Sequence, residues 1–222
     1  QNLEYEPCSG QVYSDLGYMI LRKAIEKISG MKLDSFIYEH MYGPLCIETL
    51  FFIPDTERND ILKKAGHLLV ATQRCPWRKR LLIGEVDDEN AWAVGGIDGH
   101  AGLFGDAVSI YKLLRELLSA LGKAGSRVIS TEILKQFVQK QDSDEKAAGF
   151  DTPSQVNSSS GNFFSKESIG HLGFTGTSFW LDPEQDFIVI LLTNRVHPSR
   201  DNPGIKQFRP NIHDLVYMQF IK

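Results

Sequence analysis

The stretch "GHLGFTGTSFWLDPEQDFIVILLTN", residues 170–194, decides the fold class of this chain. It predicts a strand over about 171–181 and a second strand over about 187–193, joined by a turn at Asp182-Pro183-Glu184-Gln185. The second run is apolar at both odd and even positions. We therefore expect residues 187–192 to be buried on both faces of an antiparallel sheet.

Gly170, Gly173 and Gly176 lie at the start of the same stretch. Glycine weakens a strand, so its frequency here indicates that something approaches the backbone closely. We expect that approach to come from a substrate lying along the edge of the first strand.

The apolar spacing elsewhere predicts helices over about 15–29, 33–45, 107–121, 130–140 and 211–222. Residues 50–98 read as irregular, and 152–162 as a polar loop. The closing helix should cover one face of the second strand with Leu215, Val216 and Phe220. Because helices come first and strands last, the fold class is α+β, with an antiparallel sheet flanked by helices.

Composition excludes several classes of function. The formal net charge of −4 and the pI of about 5.9 give no electrostatic reason to expect a nucleic-acid partner. No apolar run approaches the roughly 20 residues that span a bilayer. The three cysteines and six histidines lack ligand spacing, so we expect no disulfide framework, no metal site and no cofactor.

Tyr13-Ser14-Asp15 lies where an extended segment meets the first predicted helix. A phenol projecting from a helix start can act as a general base when a cation lies nearby. The alternative is a packed Tyr beside an Asp that caps the helix.

His171-Leu172-Gly173 opens the first predicted strand. A glycine-bearing strand edge offers backbone N–H and C=O groups to a substrate, and the imidazole can add a hydrogen bond or charge. The alternative is a surface His at a strand start.

Taken together, four stretches resemble the serine β-lactamase-like hydrolases, the group of class C β-lactamases, D-alanyl-D-alanine carboxypeptidases and related esterases. They are "LEYEPCSGQVYSDLGYMIL", "GEVDDENAWAVGGIDGHAGLF", "GFDTPS" and "GHLGFTGTSFWLDPEQDFIVILLTNRVHP", and they occur in family order over residues 3–198. The family's motifs are S-x-x-K, then Y-x-N, then K-T-G or H-x-G.

The resemblance implies roles for particular residues. Tyr13 matches the general-base Tyr, Asp15 stands where Asn is usual, and His171 stands where the family has Lys or His. Gly173 matches the motif glycine, and we expect Gly173 and Phe174 to bind substrate. Leu172 replaces the usual Ser or Thr, which removes a hydroxyl that could bind a substrate carboxylate and argues against penicillin-type recognition.

The S-x-x-K nucleophile has no good match. Literal matches occur at Ser29-Lys32, Ser109-Lys112 and Ser143-Lys146. Gly30 should end the helix between the first pair, and we expect Lys112 and the charged third segment to face solvent. Ser109 is the best of the three, since it lies in a first helical turn.

We therefore expect residues 1–222 to form a single partial domain of a larger protein. It would lack the N-terminal strands and the nucleophile helix, and would be inactive alone. The unpaired edge of the second strand should be covered by the first residues or by self-association.

Two functions remain open. The first is a serine hydrolase that forms an acyl-enzyme on an amide, lactam or ester of a small molecule or peptide. The second is a non-catalytic module that binds a peptide or glycan in the same cleft, which the departures at Asp15 and Leu172 favour.

Overall fold

The computed structural model describes residues 5–6, 9, 12–140 and 146–221. Its helices are α1 (Asp15–Ser29), α2 (Leu33–Ile37), α3 (Arg58–Ala65), α4 (Glu89–Ala93), α5 (Ala107–Leu121), α6 (Thr131–Val138) and α7 (Ile205–Phe220). Its strands are β1 (Leu50–Phe52), β2 (Arg74–Cys75), β3 (Arg80–Leu81), β4 (Leu103–Gly105), β5 (Lys146–Ala147), β6 (Phe150–Asp151), β7 (Ile169–Leu172), β8 (Ser178–Asp182) and β9 (Phe187–Leu191).

Most predicted helices are confirmed. Gly30 ends α1 in the left-handed conformation, and the Ser130 side chain caps α6. The second predicted helix continues from α2 into one π-helical turn, Tyr38–Tyr42. The prediction that 50–98 is irregular is wrong in part, because α3, α4 and three short strands fall there. None of the helices in the described residues is long and apolar enough to cross a membrane.

Strands β5 to β9 form one antiparallel sheet in chain order, which confirms the predicted α+β class. The prediction of one strand over 171–181 is wrong, since β7 ends at Leu172 and a turn separates it from β8. The Gly173 N–H donates to Thr177 O across this turn (2.8 Å), and Gly176 has a φ of +117° that favours glycine.

Helices cover both faces of this sheet. Helix α5 supplies Leu114 and Leu118, which pack with Ile169 and Leu181 in one core cluster. On the opposite face, Phe164, Trp180 and Val189 form a second cluster, and Val216 of α7 packs against it. Alternate side chains of β8 and β9 therefore serve two cores.

The expected burial of the second strand is partly wrong. The turn and the antiparallel pairing with β8 are confirmed, with Asp182 opposite Phe187. Within β9, however, only Val189 is fully buried, and the next residue, Leu192, is 44% exposed. Two α7 residues expected in the core, Leu215 and Phe220, are exposed at its surface.

Helix α7 begins earlier in the chain than the sequence pattern predicts. It starts at Ile205, six residues before the predicted start, and carries Pro210 within it. Of the residues expected at the interface, only Val216 reaches the sheet, and Tyr217 joins it through an edge-on ring contact with Phe187.

Strand β9 lies at the edge of the sheet. Its inner edge pairs with β8, and no strand among the described residues pairs with its outer edge. Most of the first eleven residues, which we expected as one possible cover, lie outside the part of the chain that the structure describes.

Two glycines of the 170–194 stretch leave space for neighbouring protein atoms. Gly170 lies opposite Trp180, which is 0% exposed. A Cβ at Gly170 would lie 2.5 Å from both Phe179 O and Trp180 Cδ2, and one at Gly173 would lie 2.1 Å from Thr177 Oγ1. The close approach inferred from the sequence is thus made by neighbouring protein atoms at these two positions.

We expect Gly170→Ala to lower the free energy of unfolding by about 2 to 3 kcal/mol, because the added methyl overpacks the Trp180 site. The control is Gly17→Ala on the exposed surface of α1, where a Cβ meets nothing within 4 Å. That change should stabilise the helix by about 0.5–1 kcal/mol. Urea denaturation measures both, and equal stability of the Gly170 variant and the parent would contradict the packing role.

Candidate active site at the start of helix α1

Tyr13 immediately precedes the cap of α1. The Ser14 hydroxyl accepts a hydrogen bond from the Leu16 N–H (3.2 Å), so Ser14, and not Asp15, caps the helix. The Tyr13 side chain is 73% exposed. Partial burial, then the charges of Asp15, Tyr18 and Asp151, hold the pKa of its phenol above the ordinary value. The phenol is therefore protonated at neutral pH.

Asp151 connects this helix start to the sheet. Its carboxylate raises the pKa of both Tyr13 and Tyr18, and its backbone pairs with Gly170 of β7. The residue after Gly170 is His171. Asp151, in register with Gly170 and Trp180, has its side chain on the Trp180 face of the sheet, whereas His171 is on the α5 face. This link connects α1 to the sheet but does not by itself place Tyr13 beside His171.

His171 is partly buried and pairs across the sheet with Phe179. Its Nδ1 lies 3.1 Å from Leu172 O. By strand alternation it shares the α5 face with Ile169. The β6–β7 pairing consists of the single pair Asp151–Gly170 in the described residues, so His171 lies just past the point where the edge of β7 loses its partner.

The turn over 173–177 is held by arginines. Arg209 Nη2 donates to both Gly173 O and Thr177 O at 2.7 Å, and Arg195 Nε donates to Phe174 O at 2.7 Å. The guanidinium groups of Arg195 and Arg200 lie 4.3 and 5.3 Å from the centroid of the Phe174 ring. Arg195 and Arg209 place positive charge at this turn, whereas Arg200 is paired with Asp87 (3.4 Å) and Glu89 (3.0 Å).

Arg209 is the least exposed of the three arginines. Burial first, and then the charge of Arg195, lower the pKa of its guanidinium, while Asp151 opposes them. An anion that binds at this turn would therefore offset the repulsion between Arg195 and Arg209.

Helix α1 is fixed to the loop between α4 and β4 by a buried ion pair. Arg22 Nε donates to Asp98 Oδ1 at 2.9 Å, and both side chains are at most 9% exposed. A Cβ at Gly99 would lie 2.4 Å from Tyr18 O, so only glycine allows this backbone approach. The glycine-rich sequence of the loop therefore has a packing reason.

This docking brings three residues together that no sequence pattern connected. Asp15, Asp88 and His100 each place one potential ligand atom within 4.8 Å of the others. Asp88 caps α4, and its Oδ1 lies 2.8 Å from both Ala91 N and His100 Nε2. Burial alone would raise the Asp88 pKa, but the hydrogen bonds from Ala91 N–H and His100, together with the imidazole charge, bring it below its ordinary value.

Sequence reasoning placed Asp15 beside Tyr13 but did not single out Asp88 or His100. The quoted segment "DDENAWAVGGIDGHAG" contains both of them. The signal that could have identified them is a His among glycines that are close together in the sequence. Such a loop can approach another backbone closely, and this brings the polar residues of the loop against that backbone.

None of the S-x-x-K matches within the described residues forms a nucleophile pair. Ser109 is buried, with its hydroxyl 2.5 Å from Thr49 Oγ1, and Lys112 Nζ donates to Cys46 O. The Ser29 hydroxyl donates to Ile25 O at the end of α1, and Lys32 follows after Gly30. Ser143 of the third match lies outside the described residues.

A helix-flanked antiparallel sheet with a Tyr at a helix start and a His-x-Gly strand is the arrangement of the β-lactamase and transpeptidase class. The β-lactamase family model matches residues 1–211, and the chain belongs to that family. The resemblance drawn from the four stretches is thereby confirmed.

Relatives from Salmonella agona (strain SL483) and Salmonella typhi are each 32% identical over 223 residues. Both are described as candidate D-alanyl-D-alanine carboxypeptidases. Each match covers 95% of this chain and 50% of the relative, so the chain spans half the length of these proteins.

Solved structures agree on the fold. A β-lactamase from Mycobacterium bovis superposes with a TM-score of 0.66 at 17% identity, covering 98% of this chain and 67% of its own. An octameric penicillin-binding protein homologue from Pyrococcus abyssi gives 0.62 at 19% identity, covering 96% and 44%. At this level of identity the similarity establishes architecture alone.

We expect Arg22→Met to lower the free energy of unfolding by about 3 kcal/mol or more, because it leaves the buried Asp98 carboxylate without its partner. The control is Lys23→Met on the same helix, where the ammonium is 69% exposed and 3.9 Å from Glu26. It should change stability by less than about 0.5 kcal/mol. Similar losses in both variants, measured by urea denaturation, would show that the ion pair does not hold α1 to the loop.

Proposed function

We propose that this chain forms the Tyr- and His-bearing part of a serine hydrolase that cleaves an amide through an acyl-enzyme. The observation that supports the proposal is that, in a chain of the β-lactamase family, Tyr13 is exposed at the start of α1 and His171 lies where the edge of β7 loses its partner strand among the described residues. In this scheme Tyr13 moves the proton and the edge of β7 at His171 holds the substrate, because both backbone groups of Gly173 are already bonded, to Thr177 O and to Arg209 Nη2.

The substrate class we propose is a peptide with a free C-terminal carboxylate, of the D-alanyl-D-alanine type. Arg195 and Arg209 at the 173–177 turn support an anionic substrate end, and the carboxypeptidase description of the Salmonella relatives supports a peptide. Leu172 lacks the hydroxyl usual for the family, and a guanidinium group beside Phe174 supplies an alternative partner for the carboxylate.

We further propose that the attacking serine is none of the described serines and that the 222-residue chain is inactive alone. The environments of Ser29 and Ser109 support this, because neither hydroxyl meets a lysine. Tyr13 also has a raised pKa and needs a neighbouring positive charge before it can accept a proton.

A non-catalytic peptide-binding module is the second candidate. The observation that favours it is Asp15, since a carboxylate there opposes phenolate formation at Tyr13. Such a module would bind the same peptide and release nothing.

The two candidates are separated by comparing the 222-residue chain with the full product of its reading frame. A fluorophosphonate probe should label a serine ahead of Gln1 in the full product and none in the chain. The full product should release D-alanine from a peptide ending in D-alanyl-D-alanine. Tyr13→Phe in that product should lower kcat by about 100-fold, whereas Tyr111→Phe on the exposed surface of α5 should not.

Each alternative outcome has a definite meaning. An adduct on Ser109, or on any other serine of residues 1–222, would refute the assignment of the nucleophile. Saturable peptide binding by the full product without release of D-alanine would establish the binding module.

We also propose that the outer edge of β9 is covered in solution, by the first residues or by a second copy. An open edge next to apolar side chains favours pairing with another chain, and the outer edge has no partner strand among the described residues. The Pyrococcus abyssi homologue is octameric, which favours pairing with a second copy as the alternative to test.

Light scattering after size-exclusion chromatography should therefore show a concentration-dependent oligomer of the 222-residue chain. Leu192→Lys, which places a charge just beyond the end of β9, should shift it towards monomer. Phe220→Lys at the exposed end of α7 is the control and should leave the distribution unchanged. A monomer at all concentrations, with rapidly exchanging amides in β9, would refute pairing of this edge.

A further inference from the structure

The cluster of Asp15, Asp88 and His100 lies at the junction of three separate elements. Asp15 belongs to the first turn of α1, Asp88 caps α4, and His100 lies in the loop that leads to β4. Their ligand atoms lie within 4.8 Å of one another. That spacing allows one ion to contact all three.

The His100 side chain is buried, and only one of its two ring nitrogens has a hydrogen-bond partner among the described residues. Its side chain is 5% exposed, and its Nε2 points at Asp88 (2.8 Å). Its Nδ1 has no hydrogen-bond partner among the described residues and lies 3.9 Å from Asp98 Oδ1. A histidine that ligates a metal through one nitrogen commonly turns the other towards a carboxylate, which fixes the ring.

Asp98 is oriented independently of His100. Its Oδ1 accepts hydrogen bonds from Arg22 Nε (2.9 Å) and from Gly99 N (2.7 Å), while Oδ2 has no partner within the described part of the chain. The carboxylate behind the imidazole is therefore held in place by the ion pair that attaches α1 to the loop.

The cluster brings two carboxylates and one imidazole together. Carboxylate oxygens and imidazole nitrogens are common ligands of divalent cations, and two carboxylates match the charge of one such ion. A divalent cation would neutralise both carboxylates and would also offset the effect of Asp15 on the neighbouring Tyr13.

We propose that Asp15, Asp88 and His100 bind one divalent cation of the zinc type. One imidazole nitrogen and two carboxylate oxygens form a mixed N/O donor set, which suits Zn²⁺ with bonds of about 2.0–2.2 Å. Mg²⁺ and Ca²⁺ prefer all-oxygen sites. Three protein ligands leave a fourth position for water, and His100 would bind through an unprotonated Nε2 with its proton on Nδ1, on the side of Asp98. The proposal does not depend on the hydrolase function.

The test is a Zn²⁺ titration of chelator-treated, tag-free protein against a chromophoric competitor. The background carries Cys8→Ser and Cys46→Ser, which removes binding through these thiols. We expect one equivalent to bind and to raise the melting temperature, with no competition from Mg²⁺. Asp15→Asn and His100→Gln should each weaken binding at least tenfold. Asp60→Asn, the same charge change at an exposed site on α3, should alter it less than twofold.

Circular dichroism of each metal-free variant shows whether it folds. If the His100→Gln variant does not fold, the Asp15→Asn variant decides the result. Asparagine keeps the size of Asp15 at a helix start. X-ray absorption should show nitrogen and oxygen neighbours with the outer-shell pattern of one imidazole. Sub-stoichiometric binding, equal affinity in Asp15→Asn and Asp60→Asn, or loss of binding in the Cys8→Ser and Cys46→Ser background would each overturn the site.

Discussion

The buried ion pair between Arg22 and Asp98 is the interaction on which the candidate site depends. Helix α1 carries Tyr13 and Asp15 at its first turn, and residues 1–4, 7–8 and 10–11 are not described. Its attachment to the rest of the domain is a charged contact under its second turn, reinforced where Gly99 admits the Tyr18 carbonyl. Because a buried charge without its partner is costly, this contact favours the docked position of α1.

The sheet supplies the other half of the site. Gly170 makes room for Trp180, and arginine side chains hold the turn after β7 from outside the strand. Beyond Gly170, no strand among the described residues pairs with the outer edge of β7, so the backbone at His171 lies at a strand edge. A strand edge of this kind can pair with an extended peptide while the interior behind it stays packed.

Asp15 can be compared with the family motif or with its neighbours in the folded domain. Compared with the family motif it is a departure from Asn, and as a bare carboxylate it opposes ionisation of Tyr13. Within the folded domain it faces Asp88 and His100. A cation held there would turn an unfavourable neighbour of the phenol into a neutral one, so the departure and the cluster have a single physical explanation.

The sequence by itself determined the α+β class, the bounds of α1, α5 and α6 to within two residues, the β8–β9 hairpin and the family. These depend on local periodicity, on turn residues and on motif order, all of which can be read directly from the amino-acid sequence. It also identified Tyr13, Asp15, His171 and Gly173 as candidate site residues, whose roles remain proposals. The tertiary structure alone decided the break between β7 and β8, because Gly173 and Thr177 form a turn that strand composition does not reveal.

Only the tertiary structure, too, brought Asp88 and His100 to Asp15. The expectation of no metal site came from the absence of ligand spacing, and spacing detects only ligands that share one helix or loop. Here the three residues belong to elements that meet through the Arg22–Asp98 ion pair and a glycine contact. The physical reason is that long-range packing depends on side-chain volume and buried charge at positions far apart in the chain, which no local pattern encodes.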